Sequence, residues 1–232
     1  MKRIKLKGHL LLGCLCLSFL SFAQTDLVRF YENAKVGYKD NAGKVIVPPT
    51  YISGSEFREG YAIVMREGKR GYINSKGDIA IPFQYEDACL FSHGVAFAMI
   101  HGKYGFINTT GTFIIPPSFD HAEQFSDGLA LVRQGEKTGY ISNKGAFVIP
   151  ARYDRAMSFL NGAAAVHTNG KWGYIDNTGK FILQAKYDQA SAFHADGTAQ
   201  VRIGTENFKI NKKGKVLEKI KGHEEEEREH RK

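Results

Sequence analysis

The stretch KWGYIDNTGK at residues 171–180 decides the fold, because close copies of it begin at Lys35, Lys69, Lys103 and Lys137, each 34 residues from the next. A strict period of this size marks a tandem array of small units, each too small to bury a hydrophobic face alone. The glycine of the stretch recurs as Gly37, Gly71, Gly105, Gly139 and Gly173, followed each time by Tyr38, Tyr72, Phe106, Tyr140 and Tyr174. A second glycine column runs through Gly43, Gly77, Gly111, Gly145, Gly179 and Gly214. Three residues ahead of each stands Asp40, Asn74, Asn108, Ser142, Asp176 or Asn211. Asp, Asn or Ser at the first position and Gly at the fourth is type I turn chemistry, with the glycine at positive φ, and it predicts a hairpin.

Outward from that turn, the second strand reads VIV at residues 45–47, IAI at 79–81, FII at 113–115, FVI at 147–149 and FIL at 181–183. Pro48, Pro82, Pro116 and Pro150 follow four of the five, and a residue without an N–H is expected to end the strand there. Aromatic columns come next, at Tyr51, Tyr85, Phe119, Tyr153 and Tyr187, then at Phe57, Phe91, Phe125, Phe159 and Phe193. A further apolar strand precedes each motif, and Glu67-Gly68, His101-Gly102 and Asn169-Gly170 join it to the motif strand by tight turns. The phase predicts six three-stranded antiparallel meanders, with a one-residue slip at residues 195–197 read as a loop insertion.

The KWGYIDxxGK core, the later Ile-Pro, the Tyr-Asp pair and the FxxGxAxV tail resemble the bacterial WG (KWG) repeat family, over residues 26–217. The signature Trp survives as Trp172 and is Val36, Arg70, Tyr104 or Thr138 in the other copies. The resemblance implies a β-rich tandem repeat, often in exported bacterial proteins, and carries no catalytic residue with it. Choline- or glucan-binding hairpin repeats also mix aromatics with Asn-Gly turns, but they are nearer 20 residues long and richer in Trp.

Residues 1–23 read as a secretory leader, with a basic start at Lys2, Arg3, Lys5 and Lys7 and a short apolar core at residues 10–22. Ser21-Phe22-Ala23 offers a cleavage site; the rival reading is a lipoprotein anchored at Cys14 through Leu11-Leu12-Gly13-Cys14. Loss of the leader lowers the formal charge from +8 to +4 and leaves Cys89 alone, excluding an intramolecular disulfide. So mild and dispersed a charge does not point to nucleic acid. No transmembrane segment is expected after the leader, and residues 218–232 read as a charged, disordered tail.

The candidate chemistry is thin. No nucleophile elbow, P-loop or His-Glu-x-x-His occurs, and His93, His101, His121, His167 and His194 read as surface or turn histidines. The acidic column Glu86, Asp120, Asp154 and Asp188 is expected to cap backbone N–H groups, and Cys89 to be a half-buried inert thiol. The lysine column from Lys35 to Lys171 is expected to keep strand edges soluble, the alternative being a ladder for anionic polymer. The recurring aromatics are expected to fill the space between units, whereas a ligand groove would draw on positions that vary between copies. Tyr104 and Trp172 are the candidate ligand-binding residues on that ground.

Taken together, the sequence predicts an all-β domain of six three-stranded meanders in an open twisted array, the alternative being a closed six-unit propeller-like toroid. The expected function is a non-enzymatic binding or scaffold module of the cell envelope, periplasmic or secreted, facing a protein or a surface glycan and needing no cofactor. An enzyme with its site on one irregular copy, or a structural spacer, are the competing readings.

Overall fold

The computed structural model describes residues 27–220; the leader, its competing lipobox and residues 221–232 of the tail lie outside them. Among the described residues the chain is all β and forms six antiparallel sheets. The first has three strands, Val28–Glu32, Lys35–Lys39 and Val45–Tyr51. The fourth sheet shows the unit in full, with His121–Ser126, Leu129–Gln134, Lys137–Ile141 and Phe147–Tyr153 side by side in chain order. We call these positions the opening, lead, motif and closing strands. The last sheet ends with Val216–Ile220, so the repeat runs three residues past the boundary expected at Leu217.

The three-stranded meander is thus present in every unit, and five units add an opening strand beyond the three expected. It is two residues long in four of them, at Ser53–Gly54, Asp87–Ala88, Arg155–Ala156 and Gln189–Ala190. A tight turn with both central residues at positive φ joins it toward the lead strand, at Glu59-Gly60, His93-Gly94, Asp127-Gly128 and Asn161-Gly162. In the last unit Gly197 N–H closes on the His194 carbonyl at 3.0 Å in a longer turn, which accounts for the slip in the repeat.

The Asp40–Gly43 turn forms as expected. Asp40 Oδ1 accepts from the backbone of Ala42 at 3.0 Å and of Lys44 at 2.9 Å, and Gly43 takes φ +87°.

The prolines do not end their strands. Closing strands run through them to the aromatic at their far end, and the ladder skips instead: Thr138 and Tyr140 pair with Tyr153 and Ile149. Five closing-strand residues, 149–153, oppose three motif-strand residues, 138–140, a bulge that puts Pro150 where no ladder N–H is required. The bulged backbone lies over the motif glycine. A Cβ on Gly139 would sit 2.6 Å from the Ile149 carbonyl oxygen and 2.6 Å from Ala151 N, so the glycine and proline columns are two halves of one device.

Both faces of an interior sheet are buried against its neighbours. Five core clusters are present among the described residues, and each draws on two sheets adjacent in sequence. None joins the first sheet to the sixth, so the array is open. Four of the five junctions centre on an aromatic pair between the motif strand and the connection after the next opening strand. The ring centroids are 5.4 Å apart for Tyr38–Phe57, 4.9 Å for Tyr72–Phe91, 4.7 Å for Tyr140–Phe159 and 4.6 Å for Tyr174–Phe193. Such pairs are worth about 0.5–1.5 kcal/mol beyond the area they bury. Each tyrosine hydroxyl also donates to a carbonyl of the following unit, at Ser55, Cys89, Met157 and Ser191, over 2.7–2.9 Å.

Candidate functional site at the junction of the third and fourth sheets

Tyr104 and Trp172 occupy the same place in their motif strands, with Thr138 of the intervening sheet between them in the column. The fold does not bring them together. Trp172 is 9% exposed and belongs to the core of the last junction, edge-on to His167 at 5.2 Å with the Arg155 guanidinium 5.6 Å from its ring centroid. Tyr104 is half-buried and more accessible. Its hydroxyl donates to Asp87 Oδ2 at 2.8 Å, and its ring meets Phe97 and His121 edge-on at 5.7 and 5.8 Å. Burial, then the bond to Asp87, raises the Tyr104 hydroxyl above the ordinary phenol range.

The acidic column does cap backbone N–H groups, though those of a turn further along the chain. Asp120 Oδ2 accepts from Gly135 N at 2.7 Å, Asp188 Oδ2 from Gly204 N at 2.7 Å and Glu86 Oε2 from Gly102 N at 2.8 Å. The same carboxylates take the lysines of the preceding unit: Lys103 with Asp120, Lys137 with Asp154 and Lys171 with Asp188 at 2.5 Å, Lys69 with Glu86 at 3.3 Å. Lys103 first and the Gly135 N–H second hold the Asp120 carboxyl below the usual range; for Glu86 the Gly102 N–H is the largest cause. A lysine column committed to carboxylates is not a ladder for a polyanion. Lys35 stands apart because the chain carries Ile52 at the matching acidic position.

Cys89 sits where its thiolate is disfavoured. Its sulfur accepts from Phe97 N at 3.1 Å and from Gln124 Nε2 at 3.3 Å, and burial pushes the thiol up to about 11. No group of three or more His, Cys, Asp or Glu that could hold a metal ion occurs among the described residues.

The departures from the repeat gather at one junction. Phe106 replaces the tyrosine, so no hydroxyl reaches the Glu123 carbonyl, and there the opening strand extends to six residues, His121–Ser126, with a bulge between Ala122 and Phe125. A carbonyl drawn toward the preceding sheet is turned out of its own ladder; without that pull the ladder continues. Gln124 crosses the junction to the Leu90 carbonyl instead. Phe125 pairs with Phe106 at 4.9 Å and is half-buried, as Phe57 is in the same column, whereas Phe91 and Phe159 are 0% exposed.

Along this edge the turns cap one another from unit to unit. The Glu59 carboxylate takes both His93 N, at 2.7 Å, and Gly94 N, at 2.9 Å; Asp127 Oδ2 takes Gly162 N at 2.7 Å; Asn161 Nδ2 donates to the Phe193 carbonyl at 2.9 Å. At the third sheet the residue in this column is His93, whose Nδ1 lies 3.2 Å from Ser92 Oγ and which has no carboxylate to offer. Beside it a cavity of about 310 Å³ opens between the sheets, lined by Ser92, His93, Val95, Phe125, Asp127 and Gly128 with Asn143 at its edge. Ser92, His93 and Asp127 are a serine, a histidine and an aspartate in one cavity, but the Asp127 carboxylate is engaged by the fifth sheet. Sequence reasoning passed over this site. Its signals were present as two substitutions, histidine in a column of Glu59, Asp127 and Asn161, and Phe106 in a column of tyrosines.

The WG containing repeat profile matches the chain five times, over residues 37–69, 71–104, 104–137, 139–172 and 172–204. No curated protein matches it in sequence. Among solved structures, the chain is similar to a eukaryotic initiation factor, with a TM-score of 0.56 at 13% identity, over 85% of this chain and 63% of that one. It is also similar to Hsv2 of Kluyveromyces lactis, with a TM-score of 0.48 at 12% identity over 70% and 61% of the two chains. A third likeness is to the extracellular domain of a putative one component system from B. thetaiotaomicron, with a TM-score of 0.46 at 11% identity over 83% and 33%. The chain thus spans about three fifths of the first two. Identities this low speak for the fold alone.

Proposed function

The chain belongs to the family of WG containing repeats, and from that premise we propose that it is a non-enzymatic binding or scaffold module of the cell envelope. The observation that carries this reading is a row of aliphatic side chains, one to each closing strand. Val45, Ile79 and Val216, at the first apolar position of their strands, and Ile114, Val148 and Ile182, at the second, are between 38% and 50% exposed. Elsewhere the repeated side chains are committed to junctions: tyrosines to carbonyls, lysines to acids, acids to turns. An exposed aliphatic group on every sheet favours a protein partner over a glycan, because sugars are gripped by polar groups and flat aromatic faces. Export rests on the leader sequence at residues 1–23.

The test uses residues 24–232 as bait against envelope proteins and purified cell-wall glycans. A protein partner that saturates, and is lost when Ile79, Ile114 and Ile182 are changed together to lysine, supports the module. These side chains are exposed, so the fold survives the change. Binding undiminished in that variant removes the row from the reading, and retention by glycans alone transfers the function to them.

A further inference from the structure

We infer that the cavity between the third and fourth sheets is a binding site for a small carboxylate carried on a ring, its carboxylate held by the backbone N–H groups of Asp127 and Gly128. The inference goes beyond the aliphatic row and does not depend on it. Its warrant is a comparison internal to the molecule. At the preceding junction the equivalent pair of N–H groups, those of His93 and Gly94, holds the Glu59 carboxylate in two hydrogen bonds of 2.7 and 2.9 Å. At the following junction Gly162 N holds the Asp127 carboxylate at 2.7 Å. Successive N–H groups in a left-handed turn converge on one point and make a small anion site. The Asp127-Gly128 turn has the same backbone, with φ +49° and +83°, against +52° and +72° at His93-Gly94. Among the described residues no acid reaches it, because His93 stands in the place of Glu59.

What the chain leaves out, the cavity has room to admit. At about 310 Å³ it suits a single ring. One wall is the half-buried ring of Phe125 with Val95 beside it, an apolar surface for a ring to pack against. Ser92, His93 and Asn143 around the cavity offer hydroxyl, imidazole and amide groups to ring hydroxyls. Asp127 does not contest the anion, since its own carboxylate is drawn to Gly162 on the far side of its sheet. The shared chemistry is a carboxylate next to a ring with an apolar face, which a hexuronic acid and an aromatic acid both provide.

The full chain is titrated calorimetrically with glucuronate, galacturonate, benzoate and, as the neutral comparison, glucose. Saturable binding of at least one acid with none of glucose is expected, uronates and benzoate telling the two sources apart. His93→Glu is the decisive variant. Its carboxylate repeats what Glu59 does one unit earlier, so it should fill the N–H pair, keep or raise the melting temperature and weaken acid binding about tenfold or more. Phe125→Leu keeps the core apolar but removes the ring face and should weaken binding while His93 is intact. Failure of every acid to bind overturns the inference. So does glucose binding as well as glucuronate, or a folded His93→Glu protein that binds as the parent does.

Discussion

The Tyr140 hydroxyl donates to the Met157 carbonyl across 2.7 Å, tying the fourth sheet to the connection that follows the fifth sheet's opening strand. The Tyr187 hydroxyl, equally buried, has no partner among the described residues. Phenylalanine should therefore have opposite effects at the two sites. Tyr140→Phe strands a carbonyl and should cost about 1 kcal/mol, while Tyr187→Phe removes an unmet polar group and should leave stability unchanged or raise it by about 1 kcal/mol. Tyr140→Ala, which opens the junction core, should cost about 3–5 kcal/mol. Urea unfolding of the three variants checks the ordering; equal losses for both phenylalanine variants would contradict it.

Gly139→Ala should destabilise by about 1–3 kcal/mol although alanine is the smallest possible change. The added methyl would lie 2.6 Å from backbone atoms that belong to the bulge and cannot swing aside as a side chain would. Gly135→Ala has open space around it, and its cost is that of positive φ alone. Paired denaturation curves separate steric from conformational cost.

The buried tyrosines make the protein sensitive to base. Burial raises Tyr38, Tyr72, Tyr140 and Tyr174 above the ordinary phenol range. A raised folded-state pKa gives stability that is complete below the unfolded value, about 10, and is lost as pH climbs from there toward the folded one. Melting temperature should hold to about pH 10 and then fall, with phenolate absorbance appearing together with loss of β-sheet circular dichroism. Phenolate formation well before unfolding would mean that these hydroxyls are in water.

At the acid end the carboxylates of Glu86, Asp120, Asp154 and Asp188 are held low by lysines and turn N–H groups. A lowered pKa works the other way: its contribution is present above about pH 4 and disappears as pH falls through the folded value. Replacing all four by their amides should flatten the decline in melting temperature below about pH 4 relative to the parent. High salt should narrow the gap near neutral pH, because the pairs lie at the surface.

Much of this architecture was legible because the turns are written in the sequence. Asp40 and Gly43 named a hairpin, the 34-residue copies fixed the phase, and the aromatic columns named the junction cores. Pro150 misled for a physical reason. Proline announces a missing N–H, and a missing N–H ends a strand or sits in a bulge; only Gly139 opposite, seen at close approach, decides between them. The opening strands escaped although Asp127-Gly128 and Asn161-Gly162 are strong hairpin signals, because a two-residue strand has no periodicity to detect. Trp172 and Tyr104 show the limit of choosing sites from variable columns. The tryptophan varies and is nevertheless packed in the core, while the informative change lay in His93, where a charge that recurs elsewhere is withheld.

Each core cluster belongs to a pair of sheets and not to the molecule as a whole. Cooperativity in such a chain has a range, and here the range is one neighbour. Stretched from its ends in an optical trap, it should yield in a succession of small rips, each releasing about one repeat, and a defect such as Gly139→Ala should weaken the rips on either side of the fourth sheet while distant ones keep their force. A lineage of such chains can gain or lose a unit without redesigning anything beyond the two faces that come to touch.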